Sequence, residues 1–293
     1  MRLLRFALIY GANASGKSNL LNAMDFLRDF WFDKKSDIDE ETGVVPFLLD
    51  TETPNEPSEF NIKFFVGDKR YWYALVLDDK QVIKEDLYVY NSVQPSLVFS
   101  RELDGTASLI KLNASLVKAN ATIVEQLNVK CLSNMSFFAA RNQVNCSLAY
   151  IDEVRDWMKN NMMPIIEPGT RMFEYAGKQM EKNAELKAYI LDFVHKADYN
   201  ITDVYTEREK VPIPDFVKTS IMEDKDIPEK TKEKMLADNA LKRLRTDFQH
   251  TVKNKRGEEN YRLPNSLQSE GTKRTFGIEA AIYEAIKTNG ILP

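Results

Sequence analysis

The 293-residue chain is long enough for one large core or two modest ones, and its 43% apolar and 29% charged residues are the balance of an ordinary globular protein. Its net charge of −4 excludes a global basic field that would draw the whole chain onto nucleic acid. Cys131 and Cys146 form no C-x-x-C pair and have no histidine cluster beside them, which excludes an ordinary zinc site, and no apolar run approaches the roughly 18 residues that span a bilayer; reduced thiols in a cytoplasmic protein without a membrane segment are expected.

At the N-terminus Arg2 and Arg5 precede an apolar run, Phe6 to Tyr10, too short for a signal peptide, and the largely apolar segment Leu3 to Tyr10 leads straight into a glycine. It reads as a buried strand. Behind the following loop, Leu20, Met24, Leu27 and Trp31 recur on one face of a helix from about Gly16 to Phe32. Residues 33–57 are acidic and dotted with prolines, and read as a loop. From Phe60 the pattern alternates, with turns at Gly67-Asp68-Lys69-Arg70 and Asp78-Asp79-Lys80, so an antiparallel meander is expected over about 58–112.

From about 113 the periodicity becomes helical. Ile151, Val154, Trp157 and Met158 mark one amphipathic helix, Leu186, Tyr189, Ile190, Phe193 and Val194 a second, and Leu241, Leu244 and Phe248 a third. Charge- and proline-rich residues 206–234 read as an exposed insertion. Ile278, Ile282, Ala285 and Ile286 mark a last helix over about 271–287, closed by Asn289-Gly290, and Ile291-Leu292 opens a further buried strand.

The loop Gly11-Ala12-Asn13-Ala14-Ser15-Gly16-Lys17-Ser18 fits G-x-x-x-x-G-K-[ST], set between a strand and a helix. The physics is direct. Successive N–H groups of a tight turn form an anion nest, and the helix behind it adds its positive end. Gly11 and Gly16 let the backbone approach the phosphates. Asn13, Ala14, Ser15 and Asn19 complete the cradle, Lys17 reaches the β- and γ-phosphates, and the Ser18 hydroxyl meets Mg²⁺. The plain alternative, a Gly-rich strand–helix turn with no ligand, gives no reason for a lysine directly behind the turn. ATP with Mg²⁺ is the expected ligand.

Near the other end stands Leu267-Gln268-Ser269-Glu270-Gly271-Thr272-Lys273-Arg274. Alone it could be a polar helix start with Ser269 as N-cap. Coupled to the phosphate loop it resembles the signature of ABC-type ATPase heads, in the SMC-like and OLD-like branch. More narrowly, Leu8 to Leu21 together with Gln268 to Arg274 resemble bacterial AAA-family ATP-binding proteins of abortive-infection and phage-defence loci. The resemblance spans most of the chain, but only the two ends are motif-specific. It implies an α/β fold: a P-loop NTPase of the ABC-type ATPase-head class with an antiparallel strand lobe and a helical insertion. The implied division is 1–35 and 261–293 for the nucleotide-binding core, 36–112 for the β lobe and 113–260 for the helical lobe. It also implies a homodimer across ATP, in which Ser269 and Gly271 of one protomer contact the γ-phosphate held by Lys17 of the other, and an effector partner such as a nuclease. A glutamine that senses Mg²⁺ and water is implied at Gln143, with Asn145 as its rival and an ordinary polar helix residue as the third reading.

The sequence departs from that pattern in two places. It begins almost on the phosphate-loop strand, and no strand ending in Asp-Glu follows the signature helix within these residues. Asp152-Glu153 precedes a helical pattern and lies before the signature, so it does not supply the pair. A head truncated before its Walker B motif is therefore expected, one that binds nucleotide without efficient hydrolysis. The competing readings are a monomeric P-loop phosphotransferase and an inactive remnant. His195 and His250 are expected on helices, without metal. Phe64, Phe65, Tyr71, Trp72 and Tyr73 are either strand-lobe core or a base-stacking platform. Lys242, Arg243, Arg245, Lys253, Lys255 and Arg256 are either a solvated helix face or a nucleic-acid phosphate patch.

Overall fold

The computed structural model describes residues 6–170, 172–197, 200–224, 227–237 and 240–293. Residues 3–5 of the expected first strand lie outside these, as do the side chains of Leu241, Lys242 and Arg243. The chain forms two compact units, one running to Ile165 and taking in Gly290–Pro293, the other covering Ile166–Asn289.

In the first unit, helix α1 (Lys17–Phe30) starts directly behind the phosphate loop. Its C-terminal half, with Leu27, Phe30 and the following Trp31, is buried, whereas Leu20 at the start of the stripe is exposed. Strands β1 (Ser58–Val66), β2 (Lys69–Leu77), β3 (Val82–Tyr90), β4 (Ser96–Asp104) and β5 (Ala107–Leu112) form an antiparallel meander in chain order. The first hairpin turns through Gly67-Asp68, where Gly67 adopts φ +59°, a conformation that disfavours side chains. Along β2 the side chains alternate: Tyr71, Tyr73, Leu75 and Leu77 are fully buried. Trp72 faces the other way, stacked on Tyr88 at 4.7 Å.

The buried face is covered by α1 and by helices α2 (Ala121–Lys130), α3 (Phe137–Arg141) and α4 (Ile151–Asn161). Trp31 meets Tyr73 edge-on at 5.5 Å, Phe99 stacks on Phe137 at 4.0 Å and Phe64 on Trp157 at 4.5 Å. Phe64, Tyr71 and Tyr73 are thus core, not a stacking platform. The Ser136 hydroxyl caps α3 by accepting from the Ala139 amide at 3.2 Å, and it donates to the Trp31 carbonyl at 3.1 Å.

One charged cluster lies inside this core. Arg101 and Glu85 are both fully buried. The Arg101 guanidinium donates to the Ser108 hydroxyl and to the Leu132 and Ser133 carbonyls. Glu85 accepts from the Tyr73 hydroxyl at 2.9 Å and the Phe137 amide at 2.7 Å, with the nearest Arg101 nitrogen 3.7 Å away. Burial pushes the Glu85 carboxyl up to about 6, against the opposing pull of Arg101. The cluster ties the 131–137 connection to the sheet.

The expected buried strand over Leu3 to Tyr10 is corrected over its described part. Residues 6–10 have no strand partner among the described residues, and Phe6 and Tyr10 are 76% and 81% exposed. An apolar run becomes a strand only when a neighbouring ladder satisfies its N–H and C=O groups. At the other end, Ile291 does form a parallel bridge with Met162, its N–H donating to the Asn161 carbonyl at 2.6 Å.

The second unit contains α5 (Met172–Met180), α6 (Ala184–Lys196), β6 (Asp203–Pro212), α7 (Asp215–Glu223), α8 (Glu229–Ala237), β7 (Ala240–Asn254), β8 (Gly257–Pro264) and α9 (Glu270–Thr288). Its three strands form an antiparallel sheet in the order β6-β7-β8. Phe248 of β7 and Phe276 of α9 meet edge-to-face at 5.0 Å, inside a core shared with Ala176, Ile190, Val204 and Tyr283. Helix α9 ends with Asn289 in the left-handed conformation at φ 50°.

The third expected helix, on Leu241, Leu244 and Phe248, is strand β7, so the lobe over 113–260 is not all-helical. His250 therefore stands on a strand, while His195 is on a helix as expected. Residues 206–234, expected as an exposed insertion, are exposed or half-buried at every described position except Ile213 and Lys232, and they carry most of β6, helix α7 and the first part of α8. Strand β7 reads as a helix because Thr246, only 2% exposed, sits between Leu244 and Phe248, so a polar residue interrupts the apolar alternation of its inner face.

Candidate phosphate-binding site

The phosphate loop wraps around two left-handed residues, Ala14 at φ 62° and Gly16 at φ 85°. Between ordinary residues these turn successive N–H groups toward one point, the geometry of an anion nest. Ser15 donates to the Ala12 carbonyl at 3.3 Å and Asn19 to the Gly16 carbonyl at 3.0 Å. The amides of Asn13, Ala14, Gly16, Lys17 and Ser18 donate to no backbone acceptor outside α1 among the described residues. Gly16, the N-cap of α1, provides no side-chain cap, so the Lys17 and Ser18 amides at the head of the helix stay open to a ligand.

The glycines are accounted for separately. A Cβ on Gly11 would lie 2.5 Å from the Ser15 hydroxyl and 3.7 Å from the Lys17 stem. Gly16 has open space around it, but its positive φ strains any side chain. Lys17 folds back over the loop, its ammonium donating to the Gly11 carbonyl at 2.9 Å and the Ala12 carbonyl at 2.6 Å. The cation is thus held at the mouth of the nest, where phosphate oxygens can take over from those carbonyls. The loop is exposed apart from the half-buried Lys17, and Ser18 and Asn19 behind it are exposed as well. These donors fit a polyphosphate. Among the described residues no group of three or more His, Cys, Asp or Glu could hold a metal, so Mg²⁺ here would depend on the phosphates and the Ser18 hydroxyl.

Ser269 and Gly271 stand at the start of α9 in the second unit, and both are exposed. The Ser269 hydroxyl caps the helix, accepting from the Thr272 amide at 3.0 Å, and lies 2.8 Å from the Thr272 hydroxyl. A Cβ on Gly271 would meet only the Ser269 hydroxyl, at 3.7 Å. Gln143 follows α3, half-buried, its amide donating to the Ala139 carbonyl at 3.5 Å; Asn145 is exposed. With Asn142 and Asn145 it lines a polar cleft of about 420 Å³ beside Arg141 and Arg155. Asp152 braces Arg141 at 2.8 Å and Glu153 accepts from Lys69 at 2.8 Å and Tyr71 at 3.1 Å, so both have structural partners.

In the basic run, Arg245 pairs with Asp247 and Lys253 with Glu258, on strand β7 rather than on a helix. The sequence reading missed the contact between Gln268 and His250, 2.8 Å apart. Only the correct strand register of β7 could have revealed it.

Residues 6–111, about a third of the chain, match the family model described as "AAA domain, putative AbiEii toxin, Type IV TA system". That match supports an AAA/P-loop ATPase-like family. It covers the phosphate loop, α1 and nearly all of the five-stranded sheet. No curated protein and no solved structure matches the chain. The mixed α/β architecture with antiparallel sheets accords with a P-loop NTPase-like fold. No helix among the described residues is long and apolar enough to cross a membrane.

Proposed function

We propose that this chain binds Mg-ATP on Gly11–Asn19 and that two copies close around the nucleotide. Each copy supplies Ser269 and Gly271 to the γ-phosphate held by Lys17 of the other. The assembly controls a partner effector, such as a nuclease, in phage defence or a related toxin–antitoxin setting. The observation that supports the reading is the loop itself: left-handed Ala14 and Gly16, open amides at Lys17 and Ser18, and an ammonium folded back over the loop. The family described for residues 6–111 supports it.

Gly271 supports the second half of the reading. Its local space would admit alanine, a better helix former, so a close external approach is the reason to keep glycine there. The open end of α9 offers a second set of donors to an anion. Gln143, with Asn145 as the other candidate, is assigned to sensing Mg²⁺ and water. The γ-phosphate acts as the bond between protomers.

The test is the solution mass of the chain with and without Mg-ATP, for the wild type and for Ser269→Ala. A nucleotide-dependent dimer that Ser269→Ala weakens is expected. A wild type that binds ATP and stays monomeric at every concentration would replace the sandwich with a monomeric P-loop protein.

A further inference from the structure

The turn that presents Ser269 is anchored to the sheet of its own unit. Strand β8 ends at Pro264, opposite Asp247 of β7. The chain then makes a single 3-10 turn over Asn265–Leu267, closed by the Gln268 amide donating to the Asn265 carbonyl at 3.1 Å. The Gln268 side chain reaches back to β7, where its amide nitrogen lies 2.8 Å from His250 Nε2. With the ring proton on Nδ1, Nε2 accepts that hydrogen bond. Both residues are half-buried, while the next residue, Ser269, is exposed. Two positions before His250, Phe248 is fully buried against Phe276 of α9. Strand and helix are thereby locked together, and the Gln268–His250 bond sets the direction of the segment between them.

We infer that His250 is a positioning residue for the Ser269 turn, acting through Gln268. This rests on the nucleotide sandwich proposed above. Neither His250 nor Gln268 touches phosphate in this arrangement. Together they hold Ser269 and Gly271 at the angle that meets the γ-phosphate of the facing protomer. Breaking the bond leaves the helix cap intact, because Ser269 still accepts from Thr272. The turn then keeps its 3-10 hydrogen bond but loses its side-chain tie to β7, and its presentation loosens while α9 stays folded.

The experiment compares His250→Ala, Gln268→Ala, the double variant and His250→Gln with the wild type. Sedimentation reads Mg-ATP-dependent dimerisation, calorimetry reads nucleotide affinity, and hydrogen exchange reads the protection of α9. Each alanine variant should weaken dimerisation roughly three- to tenfold, the loss of one hydrogen bond, while the nucleotide affinity of the dilute, monomeric chain and the α9 protection stay unchanged. The double variant should be no weaker than either single one. His250→Gln, whose amide can stand where Nε2 stood, should restore most of the loss. Dimerisation of His250→Ala equal to the wild type overturns the inference, and so do single-variant losses that multiply or a loss accompanied by lost α9 protection. A wild type that binds Mg-ATP without dimerising overturns the sandwich and this inference with it. That outcome is distinct from a dimerising wild type with indifferent variants.

Discussion

Two glycines of α9 should answer alanine substitution in opposite ways. At Gly277 a Cβ would lie 2.4 Å from the Met172 Cβ, 2.8 Å from the Met172 carbonyl carbon and 3.0 Å from the Phe173 amide nitrogen. Two of those atoms are backbone at the start of α5, so relief requires α5 to move off α9. Overpacking of this kind costs about 3 kcal/mol at its upper end. Alanine's helix advantage returns about 1 kcal/mol, for a net loss of about 2 kcal/mol. At Gly271 the nearest atom is the Ser269 hydroxyl at 3.7 Å, an ordinary contact. There alanine should stabilise the helix by a few tenths to about 1 kcal/mol. Urea unfolding, with hydrogen exchange of 172–180 and 270–288, reads the stability, and sedimentation with Mg-ATP reads the dimer. Gly277→Ala should lower the unfolding midpoint and expose α5. Gly271→Ala should keep or raise the midpoint while dimerisation falls at least roughly tenfold, the equivalent of about 1.4 kcal/mol. A Gly277→Ala chain as stable as the wild type would refute the close crossing of α5 and α9. A Gly271→Ala chain that dimerises normally would refute the reason given for that glycine.

The buried Glu85 gives a pH signature. Its folded-state value of about 6 lies above the ordinary 4.5, so the folded chain holds the proton more tightly than the unfolded one. Its contribution is therefore fully present below about pH 4.5 and declines as pH rises to about 6, by about 2 kcal/mol. Glu85→Gln should remove that slope from the pH profile of the denaturation midpoint; an unchanged slope would mean another group is responsible. Ser136→Ala removes the α3 cap and leaves the Trp31 carbonyl without its donor, and should cost about 1–2 kcal/mol in the same unfolding assay.

Much of the first unit was legible in the sequence because its patterns are clean. In β2, Tyr71, Tyr73, Leu75 and Leu77 alternate without interruption, and glycine marks the turn before it. The stripe Ile151, Val154, Trp157 and Met158 of α4 and the phosphate loop were equally plain. In the second unit, β6 runs through Glu207, Arg208, Glu209 and Lys210, a charged stretch that hides a strand. In β7 the spacing of Leu241, Leu244 and Phe248 imitates a helix while Thr246 takes a buried place. Residues 6–10 fail in the opposite sense: their composition is that of a buried strand, but a strand is defined by its partner. Of the site, the loop residues could be read directly. The Gln268–His250 bond could not, because it depends on the register of a strand that looked helical.

The central claim, that Gly11–Ser18 binds the phosphates of ATP, is tested most directly by calorimetric titration of Mg-ATP into the wild type and Lys17→Ala. Among the described residues Lys17 bonds to exposed carbonyls of its own loop alone, so the substitution should leave folding unchanged. Saturable binding by the wild type and a loss of roughly 10- to 100-fold in Lys17→Ala are expected, the usual effect of removing a charged hydrogen-bond donor. Equal affinity in the two chains, or no binding by a folded wild type, would contradict the claim.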